Sequence, residues 1–223
     1  MNPAPELMPT LLAASLHEVK NLLGELTLSL DDLRASCPDK TDEIGQIRFV
    51  ARRVTDRLLQ VLTLYKSEGS RLSLNLQAAA PGDLLEELAA ELATLAGGRV
   101  RVQVRREQVP EYAFFDWHLC QMALTNAIHN ALSFARERID LSVSGQGRGI
   151  VFMVEDDGPG FPAQILQQPF APVFHSRDGG TGLGLYFASV VAELHCNNAG
   201  HCGRIVLDNG SSLGGARFQM ELP

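Results

Sequence analysis

No uninterrupted apolar stretch in this chain approaches the roughly 20 residues that a bilayer-spanning helix requires, and the N-terminus lacks the basic flank and apolar run of a secretory signal. Both absences point to the cytoplasm and away from a membrane. Cysteine is scarce: the four, at positions 37, 120, 196 and 202, are irregularly placed, which suits reduced thiols better than a disulfide framework. Long basic runs are missing too. With 19 basic against 26 acidic residues the formal charge is −7, so no nucleic-acid partner is expected. Internal repeats and low-complexity tracts are absent, and no lysine follows Lys66. What remains is ordinary for a soluble globular protein, with 45% hydrophobic and 20% charged residues in a chain of 223, enough for one large domain or two modest ones.

The first third is organised by two apolar seams. Leu12, Leu16, Val19, Leu23, Leu26, Leu30 and Leu33 follow steps of four and three, and after the turn-like SCPDKT the same steps recur in Ile44, Ile47, Ala51, Val54, Leu58, Val61 and Tyr65. Two long helices joined by a short loop form an antiparallel hairpin. One hairpin has too little core to be stable alone, so the seams predict a homodimeric four-helix bundle, with packing onto the rest of the same chain as the alternative. The first helix carries SLHEVKNLL, Ser15 to Leu23. His17 and Asn21 are four apart and project from one face, with Glu18 beside them. His17 falls one residue past the seam residue Leu16, at the edge of the buried stripe.

From about Arg71 the pattern becomes mixed. LSLNLQ and VRVQV alternate like strands, with DLLEELAAELATLA between them as an amphipathic helix opened by the N-cap candidate Asp83. DWHLCQMALTNAIHNALSFA reads as a longer helix whose polar stripe includes Asn126 and Asn130. IDLSVSG and GIVFMVED read as paired strands around the turn-like GQGRG, followed by a glycine-rich region, a helix through Tyr186 to Leu194 and a last strand pair ending in ARFQMELP. The predicted fold is α+β. A hairpin occupies residues 1–68, and a helical layer on one face of a mixed sheet occupies 69–223, with KSEGS at the boundary.

Three segments of the second unit carry chemistry: NAIHN, VEDDGPGF and GGTGLGL. Gly158 and Gly160 let the backbone approach a ligand closely, while Gly180, Gly182 and Gly184 leave N–H groups free to face phosphates at a helix start. A glycine loop alone can be a plain flexible turn; the ordered set of three is more specific. Asp156, at a strand end, can accept a hydrogen bond from an adenine amino group. The side-chain oxygen of Asn130 is a hard ligand suited to phosphate-bound Mg²⁺.

On these segments the chain resembles the sensor histidine kinases of two-component systems, over essentially its whole length. SLHEVKNLL is similar to their phosphoacceptor box, TNAIHNAL to the N box, VEDDGPGF to the first glycine box, PFAPVF to the phenylalanine region and GGTGLGL to the second glycine box. The resemblance implies a dimeric hairpin bearing a phosphorylated His17, then an α/β sandwich of the histidine kinase, gyrase and heat-shock chaperone type that binds ATP and Mg²⁺. It also implies that Asn126 and Asn130 line the Mg–phosphate side, with Asn130 the metal ligand, that Asp156 holds adenine, and that residues 161–180 form a lid. The activity implied is autophosphorylation of His17 with Glu18 as its base, then transfer to an aspartate in the receiver domain of a response regulator. Asn21 would orient water for a phosphatase reaction. No sensory domain fits before residue 10, so the expected protein is a sensor-less kinase controlled by a partner such as an upstream sensor, by the cell's own state or by a further segment. The alternative is a histidine phosphotransferase whose nucleotide domain serves only for docking.

Several positions depart from the family pattern. Leu22 stands where a proline is usual, and Ser133 where a basic residue is usual three places after Asn130. Phosphate charge would then be met by Mg²⁺, backbone amides and arginine, with Arg136 and Arg177 as candidates. The lid is short. HCNNAGHCG replaces the usual turn after the last helix and brings His195, Cys196, His201 and Cys202 close together, but without the two- to four-residue gaps of zinc ligands. A solvent-facing loop with buried thiols is the expectation there.

Overall fold

The computed structural model describes residues 19, 21, 22, 24–26, 28–30, 32, 33, 36, 40–68, 73–147, 149–167 and 182–223. The chain divides into two compact units, Met1–Leu72 and Ser73–Pro223.

In the first unit the described residues from 19 to 36 are helical, and α1 spans Thr41–Glu68. Leu30, Ile44, Ala51 and Leu64 are buried, as is Gln60. Other seam positions are not: Val19, Leu26 and Leu33 on the first segment and Ile47, Val54 and Val61 on α1 all remain exposed. The three on α1 recur every seven residues and so lie along one side of the helix.

The second unit begins with β1 (Gln77–Ala79), α2 (Pro81–Ala96), β2 (Arg101–Glu107), β3 (Ala113–Phe115) and α3 (Trp117–Phe134). It continues with β4 (Arg138–Gln146), β5 (Gly149–Asp156), the short α4 (Ala163–Gln167), α5 (Leu183–Leu194), β6 (Arg204–Asp208) and β7 (Arg217–Leu222). Five strands form one sheet in the order β2-β4-β5-β7-β6, in which only the β2–β4 pair is parallel. Its helix-facing side is written by alternation. Ile139, Leu141 and Val143 of β4, Ile150, Phe152 and Val154 of β5, and Phe218, Met220 and Leu222 of β7 are all buried and meet in register. Against them lie Leu84, Leu85, Leu88 and Leu92 of α2, Ala123, Leu124, Ala127 and Ile128 of α3, and Phe187, Ala188 and Val191 of α5. Burying each large side chain contributes about 1.5–3 kcal/mol. The opposite sheet face is polar. There Asp140, 2% exposed, is held by Arg105 and Arg138, while Arg204 pairs with Glu221 and Arg217 with Asp208.

Two predicted details are corrected. Helix α2 starts at Pro81, with Ala80 at the N-cap and no side-chain cap, so Asp83 lies in the first turn instead of capping. Pro81 fits there because its missing N–H would have had no helical partner. Of the described residues of LSLNLQ, 73–77, only Gln77 enters a strand, since β3 offers just three residues, pairing Gln77 with Phe115 through Ala79 with Ala113. Beyond Phe115 the chain turns into α3, and the Asn75 N–H is taken by Asp116 Oδ2 at 2.9 Å.

Asp116 also caps α3, its Oδ1 accepting from Leu119 N–H at 3.1 Å. The buried His195 closes this corner: its Nε2 accepts from Asp116 N–H at 3.0 Å and its Nδ1 donates to the Val191 carbonyl at 2.7 Å. The imidazole is therefore neutral. Burial lowers its pKa, against the Val191 hydrogen bond and the Asp116 charge. The unfolded imidazole takes a proton near pH 6.5, before the folded one does. Stability should thus fall as pH drops below about 6.5 and continue to fall until the folded group protonates. Urea unfolding between about pH 7.5 and 5.5 should show this slope. His195→Phe should flatten it and lower stability at neutral pH by about 1–3 kcal/mol, because Asp116 N–H loses its acceptor.

Candidate nucleotide site

Asn126, Asn130 and Phe134 are successive positions four apart on α3, so they form one stripe. The two glycine segments abut the ends of that stripe. A Cβ placed on Gly184 would lie 3.3 Å from the Asn126 side chain, which puts the first turn of α5 against the middle of α3. A Cβ on Gly158 would lie 2.5 Å from the Phe134 carbonyl oxygen, which puts the loop after β5 against the end of α3. Asn130 falls between them. Its half-buried side chain makes no hydrogen bond among the described residues, whereas the Asn126 amide donates to the Met122 carbonyl at 3.1 Å. An uncommitted amide oxygen fits a magnesium ligand.

Asp156 ends β5 at 5% exposure. Its Oδ1 accepts from Gly158 N–H at 2.8 Å and Ala216 N–H at 3.2 Å, and Oδ2 accepts nothing among the described residues. Burial raises the carboxyl pKa, against those two N–H groups, and the neighbouring Asp157 charge adds to the rise. A donor brought to Oδ2 would favour the ionised form. Gly182 stands at the N-cap of α5 with φ of 66° and no side-chain cap, a conformation that glycine adopts without steric cost. The first-turn amides thus meet no capping side chain.

Of the predicted site residues, the structure brings Asn126, Asn130, Asp156, Gly158, Gly160, Gly182 and Gly184 onto one domain. Asn21 is exposed on the N-terminal helical segment. His17, Glu18, Gly180 and Arg177 lie outside the described residues, as does most of the predicted lid. Ser133 donates its hydroxyl to the His129 carbonyl at 2.8 Å.

Three supporting residues were not singled out from the sequence. Asp157 accepts from the N–H groups of Arg136 and Glu137, stitching the turn after α3 to the end of β5. Burial raises its pKa, but those N–H groups and that of Arg138 outweigh it and leave the carboxyl below its ordinary value. Asn209 brackets the chain at Phe161, accepting from its N–H at 2.7 Å and donating to its carbonyl at 3.1 Å, and its side chain fills the space over Gly160. Gly215 lets the loop before β7 reach Asp156, since a Cβ there would lie 2.4 Å from the Asp156 carbonyl. The sequence signal for the last two is the DNGSSLGG turn between two strands.

Residues 116–223, beginning at the α3 cap, match the family described as histidine kinase-, DNA gyrase B-, and HSP90-like ATPase. The sensor histidine kinase SpaK of Bacillus subtilis is 27% identical over 223 residues, covering 95% of this chain and 47% of SpaK. Residues 116–223 are a domain of this ATPase family, and the relatives that the chain matches are sensor histidine kinases. The chain's second unit is the family's ATP-binding α/β domain. Among solved structures, full-length ShkA in complex with AMPPNP shares the fold with a TM-score of 0.68 at 21% identity, covering 96% of this chain and 46% of that one. The ATP binding domain of PrrB from Mycobacterium tuberculosis is 27% identical with a TM-score of 0.53, covering 67% of this chain and 97% of that domain. The chain spans less than half the length of the curated relatives it matches.

The cysteine expectation is corrected for one pair. Cys196 and Cys202 are exposed and joined by a disulfide, because the turn between them sets them opposite one another as a β-bridge. Cys120 is a free, buried thiol whose pKa is raised by burial and by the Asp116 charge. No group of three metal-binding side chains occurs among the described residues, and no described helix is long and apolar enough to cross a membrane.

Proposed function

We propose that this chain is an ATP-dependent protein histidine kinase that phosphorylates its own His17 and passes the phosphoryl group to an aspartate in a response-regulator receiver domain. The observation that carries the nucleotide half is the Asn126, Asn130 and Asp156 arrangement between two glycine segments. Asp156 Oδ2 would accept from the adenine amino group. Asn126 and Asn130 would line the phosphates, with Asn130 holding Mg²⁺, which offsets phosphate charge when bound. The uncapped start of α5 at Gly182 and Gly184 would bring backbone N–H groups to the same phosphates.

In the transfer a neutral His17 nitrogen forms a bond to the γ-phosphorus as the bond to the ADP oxygen breaks, and the electron pair leaves on ADP. Glu18, hydrogen-bonded to the other ring nitrogen, accepts its proton. The phosphoramidate has a high transfer potential, which suits onward transfer to a carboxylate. Asn21, exposed and four positions after His17 in the sequence, would hold water against the phosphoaspartate for a phosphatase reaction that releases inorganic phosphate and the free aspartate. Homodimerisation is part of the proposal: the exposed stripe of Ile47, Val54 and Val61 needs a second apolar surface, which another copy's hairpin supplies.

Incubating the purified chain with γ-labelled ATP and Mg²⁺ tests this. Label should appear on the chain, be lost in acid and survive base. Absence of both label and ATP affinity would instead support the phosphotransferase reading.

A further inference from the structure

The loop between α5 and β6 does nothing in the proposed reaction, yet it holds an exposed sulfur pair at a junction shared by both helices of the nucleotide site. The turn is closed without its disulfide. Asn197 N–H donates to the His201 carbonyl at 2.9 Å, Gly200 N–H donates to the Asn197 carbonyl at 2.9 Å, and Asn197 Oδ1 accepts from the N–H groups of Ala199 and His201. Gly203 N–H donates to the His195 carbonyl at 2.8 Å, so the residues flanking the two cysteines are themselves paired. Opening the sulfur bond would leave two thiols facing one another in a six-residue span, and so short a loop loses little entropy on closure. Such a bridge forms and opens readily; it is a weak staple.

Its position gives the bond a reader. His195, next to Cys196, is joined through its ring to Asp116 N–H at the start of α3 and to Val191 of α5. Gly203, next to Cys202, sits so tightly that a Cβ would lie 2.6 Å from the Ala192 carbonyl of α5 and 2.5 Å from the Glu221 carbonyl of β7. The cysteines thus flank the point where α5 is fastened to α3 and to the sheet. Helix α3 carries Asn126 and Asn130, and α5 carries Gly184 against Asn126.

We propose that Cys196 and Cys202 form a reversible thiol–disulfide site that exchanges with small thiols of the glutathione type and tunes nucleotide binding through the His195 junction. In oxidation the two thiols and one glutathione disulfide give the Cys196–Cys202 bond and two glutathione thiols. The protein sulfurs lose two electrons, the glutathione disulfide gains them, and the two protons move with them. Reduction reverses each step. The bridged form holds the end of α5 in place and binds ATP more tightly. That coupling rests on the nucleotide reading above; the exchange chemistry does not.

The full chain, equilibrated across glutathione buffers from reducing to oxidising, tests both parts. Free thiols are trapped by alkylation and mapped by mass spectrometry, with the buried Cys120 as internal reference, and ATP affinity is measured by calorimetry at each end. The expected result is reversible conversion of Cys196 and Cys202 together, with roughly fivefold weaker ATP binding in the reduced form, at the low end of ordinary coupling between sites. By reciprocity, saturating ATP should shift the glutathione ratio at the midpoint by the same factor toward the bridged form. The double variant Cys196→Ser, Cys202→Ser should bind like the reduced protein and ignore the buffer. A bridge that never forms, or one that glutathione cannot open, overturns the site. Equal ATP affinity in both states overturns the coupling. If neither state binds ATP, the nucleotide reading and the coupling fall together, while the thiol mapping still decides the exchange site.

Discussion

His17→Ala should abolish incorporation of the γ-phosphoryl group, because residues 1–72 hold no other imidazole to attack the γ-phosphorus. Two neighbours separate by role. Glu18→Gln should leave ATP affinity unchanged and slow labelling by roughly 10²- to 10⁴-fold, the effect of removing a general base. Asn21→Ala should keep labelling largely intact and stop dephosphorylation of the regulator, since its amide places water and does not activate the imidazole. Phosphoamino-acid stability gives the decisive readout. Acid-stable label, or full labelling of His17→Ala, would put the phosphate on a hydroxyl and end the histidine assignment.

Asp156→Asn should weaken ATP binding by about 10- to 100-fold, equivalent to the ~1.5–3 kcal/mol carried by a hydrogen bond to a charged group. The substitution is selective because of how the carboxylate is used. An asparagine can keep its Oδ1 on Gly158 and Ala216 N–H, preserving the loop, while its NH₂ takes the place of Oδ2. A donor then meets the adenine amino donor. The unliganded melting temperature should change little, because the retained Oδ1 bonds hold the loop and the lost charge was disfavoured by burial. Calorimetry with ATP and with GTP checks this: a variant that binds ATP as tightly as the parent would remove Asp156 from the base pocket. The raised carboxyl pKa adds a pH signature. Binding that needs the ionised form should weaken as pH falls through that raised value, and the variant should show no such dependence.

Much of the α/β domain is legible in the sequence because its patterns are local. The alternation in IDLSVSG and GIVFMVED yields β4 and β5, since a half-buried strand repeats every two residues. Asp116 before an amphipathic run marks the start of α3, and the glycines before LGLYFASVV mark the start of α5. The ordered boxes carry the family assignment for the same reason: each needs only a few adjacent residues of a given type.

Contacts between segments distant in sequence were not legible. The Arg99–Arg106 region also alternates, yet nothing local says that β2 runs parallel to β4. Residues 73–76 alternate as well, but β3 is too short to pair them. Asp157, Asn209 and Gly215 look like turn residues until the fold sets them against Arg136, Phe161 and Asp156. Likewise the spacing of Cys196 and Cys202 does not announce a bridge; a turn closed by Asn197 makes one. By itself the sequence determined where most helices and strands of the α/β domain lie, and which short motifs are candidates for phosphate chemistry, because hydrophobic period and glycine content act over a few residues. Only the tertiary structure decided what surrounds Asp156 and what His195 joins, because a hydrogen bond across 60 or 79 residues exists only once the sheet and helices have closed around it.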